Sequence, residues 1–132
     1  MKKYVIDSYA FIAYLEGEEE GKGLIPFLES AVEGKCEMYM SVINWGEIYY
    51  IAYREGGKER AELYRTTIEK YPVTITDVDK NFTLSAAKFK AKHKMSYADA
   101  FAASLCEHLK GTLITVDKEF KPLQKEINIY FL

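Results

Sequence analysis

The sequence predicts an α/β sandwich with a central, mostly parallel sheet of about five strands. Two observations predict it. Short apolar runs of strand length alternate with longer amphipathic stretches of helix length along the whole chain. No repeat, low-complexity stretch or linker interrupts that alternation, so residues 1–132 read as one domain.

Each element follows from local chemistry. Lys3-Tyr4-Val5-Ile6 reads as a buried strand ended by Asp7, and Ala10 to Leu15 as a helix stopped by Gly17. Gly23 to Glu33 is a second expected helix, closed by Gly34. Glu37 to Met40 is a strand ended by Ser41, followed by a helix from about Asn44 to Glu55 that Gly56-Gly57 terminates. Lys58 to Tyr71 is a separate helix ended by Pro72, and Val73 to Thr76 a third strand. Two helices follow, Asp79 to His93 and Ser96 to Leu109, the second closed by Gly111. Leu113 to Val116 and Ile127 to Phe131 complete the expected strands.

Composition excludes several classes. Hydrophobic residues make up 48% and charged residues 29%, the balance of a globular protein. No apolar run approaches the ~18 residues of a membrane span. The apolar stretch after Lys2-Lys3 breaks at Asp7, too early for a signal peptide, so a cytoplasmic location is expected. The two cysteines, Cys36 and Cys106, lack metal-ligand spacing and read as reduced thiols in or near the core. His93 and His108 lack an H-x-x-x-H partner, which argues against a histidine zinc site. A net charge of −2 argues against coating nucleic acid by bulk charge.

In a parallel sheet ligands bind beyond the carboxyl ends of the strands. Four acids are expected there: Asp7 after the first strand, Glu47 one turn into the helix after the second, Asp99 in the first turn of the helix before the fourth, and Asp117 ending the fourth. Oxygen donors without neighbouring His or Cys suit magnesium or manganese better than zinc. Each acid also has a capping explanation. Asp7 and Asp117 can be helix N-caps, and both Ser96-Tyr97-Ala98-Asp99 and Asn44-Trp45-Gly46-Glu47 have the form of a capping box. Asp79 also follows a strand and reads as a cap alone. Asp99 falls on the border of its helix's apolar stripe, as expected at a cleft rim.

The surroundings of these acids resemble the PIN-domain ribonucleases of the VapC toxin type. Tyr4-Val5-Ile6-Asp7-Ser8 is similar to the family's first motif, and Ser41-Val42-Ile43-Asn44-Trp45-Gly46-Glu47 to its second. Ser96-Tyr97-Ala98-Asp99-Ala100 is similar to the third, and Thr115-Val116-Asp117-Lys118-Glu119-Phe120 to the fourth, with Val116 where the family often has Gly. The resemblance implies a PIN-like α/β/α sandwich and a metal-dependent endoribonuclease that leaves a 5′-phosphate. It implies that Asp7, Glu47, Asp99 and Asp117 hold Mg2+ or Mn2+ and carry catalysis, with Ser8 and Thr115 supporting them. It also implies a homodimer and a VapB-type antitoxin partner.

Tyr49, Tyr50 and Tyr53 crowd the helix after Glu47, where packing is the simpler reading and base stacking the other. Arg54, Lys58, Arg60 and Arg65 alternate with acids and read as a solvated face rather than an RNA contact. Three other functions fit the residues less well. A phosphoacceptor receiver-like domain needs an acidic pair after the first strand, and Ser8 follows Asp7. A haloacid-dehalogenase-type phosphatase needs an acid where Tyr9 stands. A non-catalytic PIN-like scaffold is disfavoured by the presence of all four acids.

Overall fold

The computed structural model describes residues 1–132. Five strands, β1 (Lys3–Ile6), β2 (Glu37–Ser41), β3 (Val73–Thr76), β4 (Thr112–Thr115) and β5 (Asn128–Phe131), form one sheet in the order β3-β2-β1-β4-β5. Every pairing is parallel, so the expectation of a mostly parallel sheet is met in full. The pairing Val5↔Leu113 and Ile6↔Ile114 sends alternate side chains to opposite faces. Val5 and Leu113 enter one core, and Ile6 and Ile114 the other.

Helices α1 (Ser8–Leu15), α2 (Ile25–Val32) and α3 (Val42–Glu69) cover the Ile6 face, burying Phe11, Leu28 and Ile48 against Met38 and Met40. Helices α4 (Lys80–Lys92) and α5 (Tyr97–Leu109) cover the Val5 face with Phe89, Phe101 and Leu105. Each large side chain buried in these layers contributes roughly 1.5–3 kcal/mol. Both faces are therefore dry, which is why the strands read as apolar runs rather than as alternating ones.

Several expected boundaries move. The helix predicted from Gly23 is a 3-10 turn, Glu20–Leu24, running into α2, because Pro26 suits only the first turn of an α-helix. The break predicted at Gly56-Gly57 is present: α3 is two helices meeting at a kink at Gly57, whose φ of 76° and ψ of −172° are non-helical and adopted readily only by glycine. The predicted cap at Asn44 is wrong. Ser41 caps α3, accepting from the Ile43 and Asn44 N–H groups, and Asn44 lies inside the helix. Strand β4 begins and ends one residue earlier than expected, and a 3-10 turn, Lys118–Lys125, follows it. No helix is long and apolar enough to cross a membrane.

Candidate active site

Strand order reverses at β1, whose chain neighbour β2 lies on one side and β4 on the other. The carboxyl ends of β1 and β4 thus frame the crevice where parallel sheets bind ligands. Asp7 leaves β1 there. Its N–H donates to the Ile114 carbonyl at 3.2 Å, extending the β1–β4 ladder by one step. This brings the Asp7 side chain beside Thr115, the last residue of β4. The Thr115 hydroxyl donates to Asp7 Oδ2 and accepts from the Asp117 N–H at 3.0 Å, tying the two strand ends together.

Asp7 is also the N-cap of α1, with Oδ1 accepting from the Ala10 N–H at 2.8 Å. Capping and site membership, weighed as alternatives in the sequence, coexist in one side chain. Only 1% exposed, Asp7 has a pKa raised to about 7. Burial is the main cause. The hydrogen bonds from Thr115 and Ala10 offset part of it, and the charges of Asp99 and Asp117 add to it.

Asp99 arrives from the opposite layer. Ser96 caps α5 by accepting from the Asp99 N–H at 3.1 Å, which sets Asp99 in the first turn. It is 7% exposed, deeper than the rim position expected from helical spacing. Its pKa rises to about 6, through burial first and then through Asp117, Glu47 and Glu119. Asp117 is half-buried and caps the 3-10 turn after β4, accepting from the Glu119 N–H at 2.8 Å. Glu47, half-buried on α3, has a buried Oε1 with no hydrogen-bond partner. The four predicted acids therefore feel one another across four chain segments, with Asp99 in the field of all the rest. No three His, Cys, Asp or Glu side chains stand together as a ready-made metal-binding group. Asp7 and Asp117 are instead engaged by the N–H and hydroxyl groups just described.

Ser8 does not touch the acids. Its hydroxyl donates to the Asn44 carbonyl at 3.2 Å and accepts from Asn44 Nδ2 at 3.0 Å. Asn44 Nδ2 also donates to the Ala98 carbonyl at 3.1 Å. One buried amide thus joins the amino ends of α1, α3 and α5, the three helices that carry Asp7 at the cap, Glu47 in the second turn and Asp99 in the first turn respectively. Sequence reading treated Asn44 as a cap and missed this role. The signal available was its place in the same motif as Ser41 and Glu47. Glu119 was quoted only as part of the last motif, although its spacing of two from Asp117 puts a further acid near Asp99. Asp79 caps α4 by accepting from the Phe82 N–H at 2.8 Å, and it is exposed. Asp77 and Asp79 instead line a separate cleft of about 500 Å3 beyond β3.

Comparison with known proteins agrees with this geometry. Solved structures share the fold. A VapBC from Salmonella typhimurium bound to DNA matches with a TM-score of 0.75 at 17% identity, covering 99% of this chain and 98% of its own. VapBC2 from Rickettsia felis, bound to a DNA fragment from its promoter, matches at 0.74 and 15% identity, covering 98% of each chain. Mycobacterium tuberculosis VapC20, described as a Sarcin-Ricin loop cleaving toxin, matches at 0.72 and 17% identity, covering 90% of this chain and 93% of its own. No curated protein matches by sequence. The family model described as PIN domain matches residues 4–126, a span that runs from β1 through the turn after β4 and takes in all four acids. On that match the chain belongs to the PIN-domain family.

Proposed function

We propose that residues 1–132 form a single nuclease domain, a metal-dependent endoribonuclease of the VapC toxin type. The observation that carries this reading is the convergence of Asp7, Glu47, Asp99 and Asp117 on the reversal point of the sheet, where the charges of Asp99 and Asp117 add to the rise at Asp7, and those of Asp117 and Glu47 to the rise at Asp99. Capping alone does not require caps from different layers to share one electrostatic field.

The donor chemistry fits a hard divalent cation such as Mg2+ or Mn2+. All four acids are carboxylates, Glu47 Oε1 is buried without a partner, and burial opposes ionisation of Asp7 and Asp99. A nearby cation removes that opposition. Magnesium uses one or two carboxylates and fills its remaining positions with water and phosphate, so it needs no preformed group of three acids. When bound, such an ion supplies an acidified water and neutralises charge on the phosphate and leaving oxygen.

The chain's own residues do the rest. Thr115 fixes one Asp7 oxygen and orients the Asp117 backbone. Ser41 sets the start of α3, whose second turn carries Glu47, and Ser96 sets the first turn that carries Asp99. Ser8 and Asn44 lock those helix ends together, which holds the acids within reach of one phosphate. A lone buried carboxylate at Asp7 holds its proton up to about pH 7, so full ionisation of the site requires a positive charge beside it.

The likeness to VapBC complexes supports a VapB-type antitoxin as partner; a homodimer and a cytoplasmic location belong to the same proposal. The test is incubation of purified protein with cellular RNA in Mg2+, Mn2+ or chelator, followed by mapping of the new 5′ ends. Cleavage with a 5′-phosphate that stops in chelator is expected. Undiminished cleavage by demetallated protein, or none with either ion, would overturn the reading.

A further inference from the structure

Beside the acids, the surface offers flat side chains that packing does not use. Tyr9, two residues after Asp7, is 46% exposed, and Tyr50 is 53% exposed. Glu47, Tyr50 and Arg54 are spaced i, i+3 and i+7 on α3, so they share one helix face. The strip they form runs about 10 Å outward from the acid edge. The Arg54 guanidinium lies over the Tyr50 ring, 5.6 Å from its centroid, and no carboxylate is within ion-pair distance of it. Arg60 and Arg65, by contrast, are committed to Glu16, Glu62 and Glu69. Tyr49 is likewise committed, donating to Glu62 at 2.6 Å. Tyr9 faces the same strip: burial, Glu47, Tyr50 and Asp99 push its hydroxyl up, while Arg54 opposes them.

We propose that Tyr9, Tyr50 and Arg54 form a stacking platform for an unpaired base next to the cleaved phosphate, so that these three side chains position the strand at the acids. This rests on the nuclease reading. An exposed ring with a planar guanidinium within cation–π range of it presents flat faces that match any nucleobase. The Arg54 charge is also the one cation on that helix face set to meet the next backbone phosphate, in a chain whose net charge is −2. A paired base cannot enter, because its faces are covered within the duplex.

The test separates binding from cleavage. A fluorescein-labelled single-stranded oligoribonucleotide of mixed sequence, about 10 nucleotides long, is titrated with parent protein, Tyr50→Ala, Tyr50→Phe and Arg54→Ala in chelator. The same label is used in a duplex, and oligomeric state and melting temperature are followed for every variant. Tyr50→Ala should weaken single-strand binding by roughly 5- to 150-fold, the equivalent of one lost base stack. Tyr50→Phe should bind like the parent, since the ring remains, and Arg54→Ala should weaken binding and flatten its salt dependence. Unchanged binding by a folded Tyr50→Ala, equal Tyr50-dependent binding of the duplex, or a change confined to oligomeric state would each overturn the platform, the last by assigning the patch to a protein interface. Tyr50-dependent binding without cleavage in any metal would sink the nuclease reading and leave the platform standing. Cleavage that ignores Tyr50→Ala would do the reverse.

Discussion

The ends of β1 and β3 are nearly the same in local chemistry. Asp7 and Asp79 each follow a strand, each cap the next helix, and each accept an N–H three residues on at 2.8 Å. What differs is position in the sheet. β1 is central and β3 lies at the edge. Asp7 is buried among other acids with its pKa raised to about 7, and Asp79 stands exposed. An N-cap is a local device, whereas a site needs several chain segments to end at one place, and only the central strands provide that.

The sharpest way to break this comparison is cleavage itself. Asp7→Asn, Glu47→Gln, Asp99→Asn and Asp117→Asn should each lower RNA cleavage by about 100-fold or more, on the order of 3 kcal/mol of lost transition-state stabilisation. Asp79→Asn should cleave like the parent. Equal damage from Asp79→Asn would erase the distinction between the two strand ends.

Next in size is the amide that joins the helix ends. Asn44→Ala leaves the Ser8 hydroxyl and the Ala98 carbonyl without their donor inside the protein. It should cost about 2–3 kcal/mol in denaturant unfolding. No alanine at the β3 end has a comparable network to lose, so a near-neutral Asn44→Ala would show that the ends of α1, α3 and α5 are held by packing alone.

The pH dependence separates the regions further. Asp7 and Asp99 bind protons more tightly in the folded chain than in the unfolded one, with values of about 7 and about 6 against an ordinary 3.8. Their contribution to stability is therefore fullest below about pH 4 and is lost as pH rises through 6 and 7. In chelator, the melting temperature should fall across that window. Asp7→Asn keeps a capping oxygen and removes a repelling charge, but it gives up the acceptor for the Thr115 hydroxyl, so the expected readout is a shallower slope across that window. Added magnesium should raise the parent's melting temperature more than that of Asp7→Asn. A parent and variant with parallel pH profiles and equal magnesium shifts would remove the shared pocket.

The smallest effect sharpens the β3 side. Asp79→Ala deletes an exposed cap and nothing else. It should cost about 1 kcal/mol, a few degrees of melting temperature, with cleavage unchanged.

Much of this molecule was legible in the residue order. Strand-length apolar or alternating runs bounded by helix signals placed the strands, so Lys3–Ile6 and Val73–Thr76 match the expectation to the residue and the other three to within one. The serine caps at Ser41 and Ser96 and the glycine kink at Gly57 involve groups a few residues apart. Of these, Ser96 and the Gly56-Gly57 break were foreseen, and Ser41 was displaced to Asn44 because both fit an N-cap. The four acids were picked out by their motifs. Their burial was not, since helical spacing puts Asp99 at a rim, whereas the fold leaves it only 7% exposed. By itself, then, the sequence determined which segments are strands and helices and most of their ends to within a residue or two, because those depend on neighbours along the chain. Only the tertiary structure decided that Asp7 rather than Asp79 loses its water, that Asn44 bridges three helix ends, and that Tyr9 and Tyr50 flank one edge. Those outcomes depend on strand order, which brings together groups up to 108 positions apart in the chain, as it does Asp7 and Thr115.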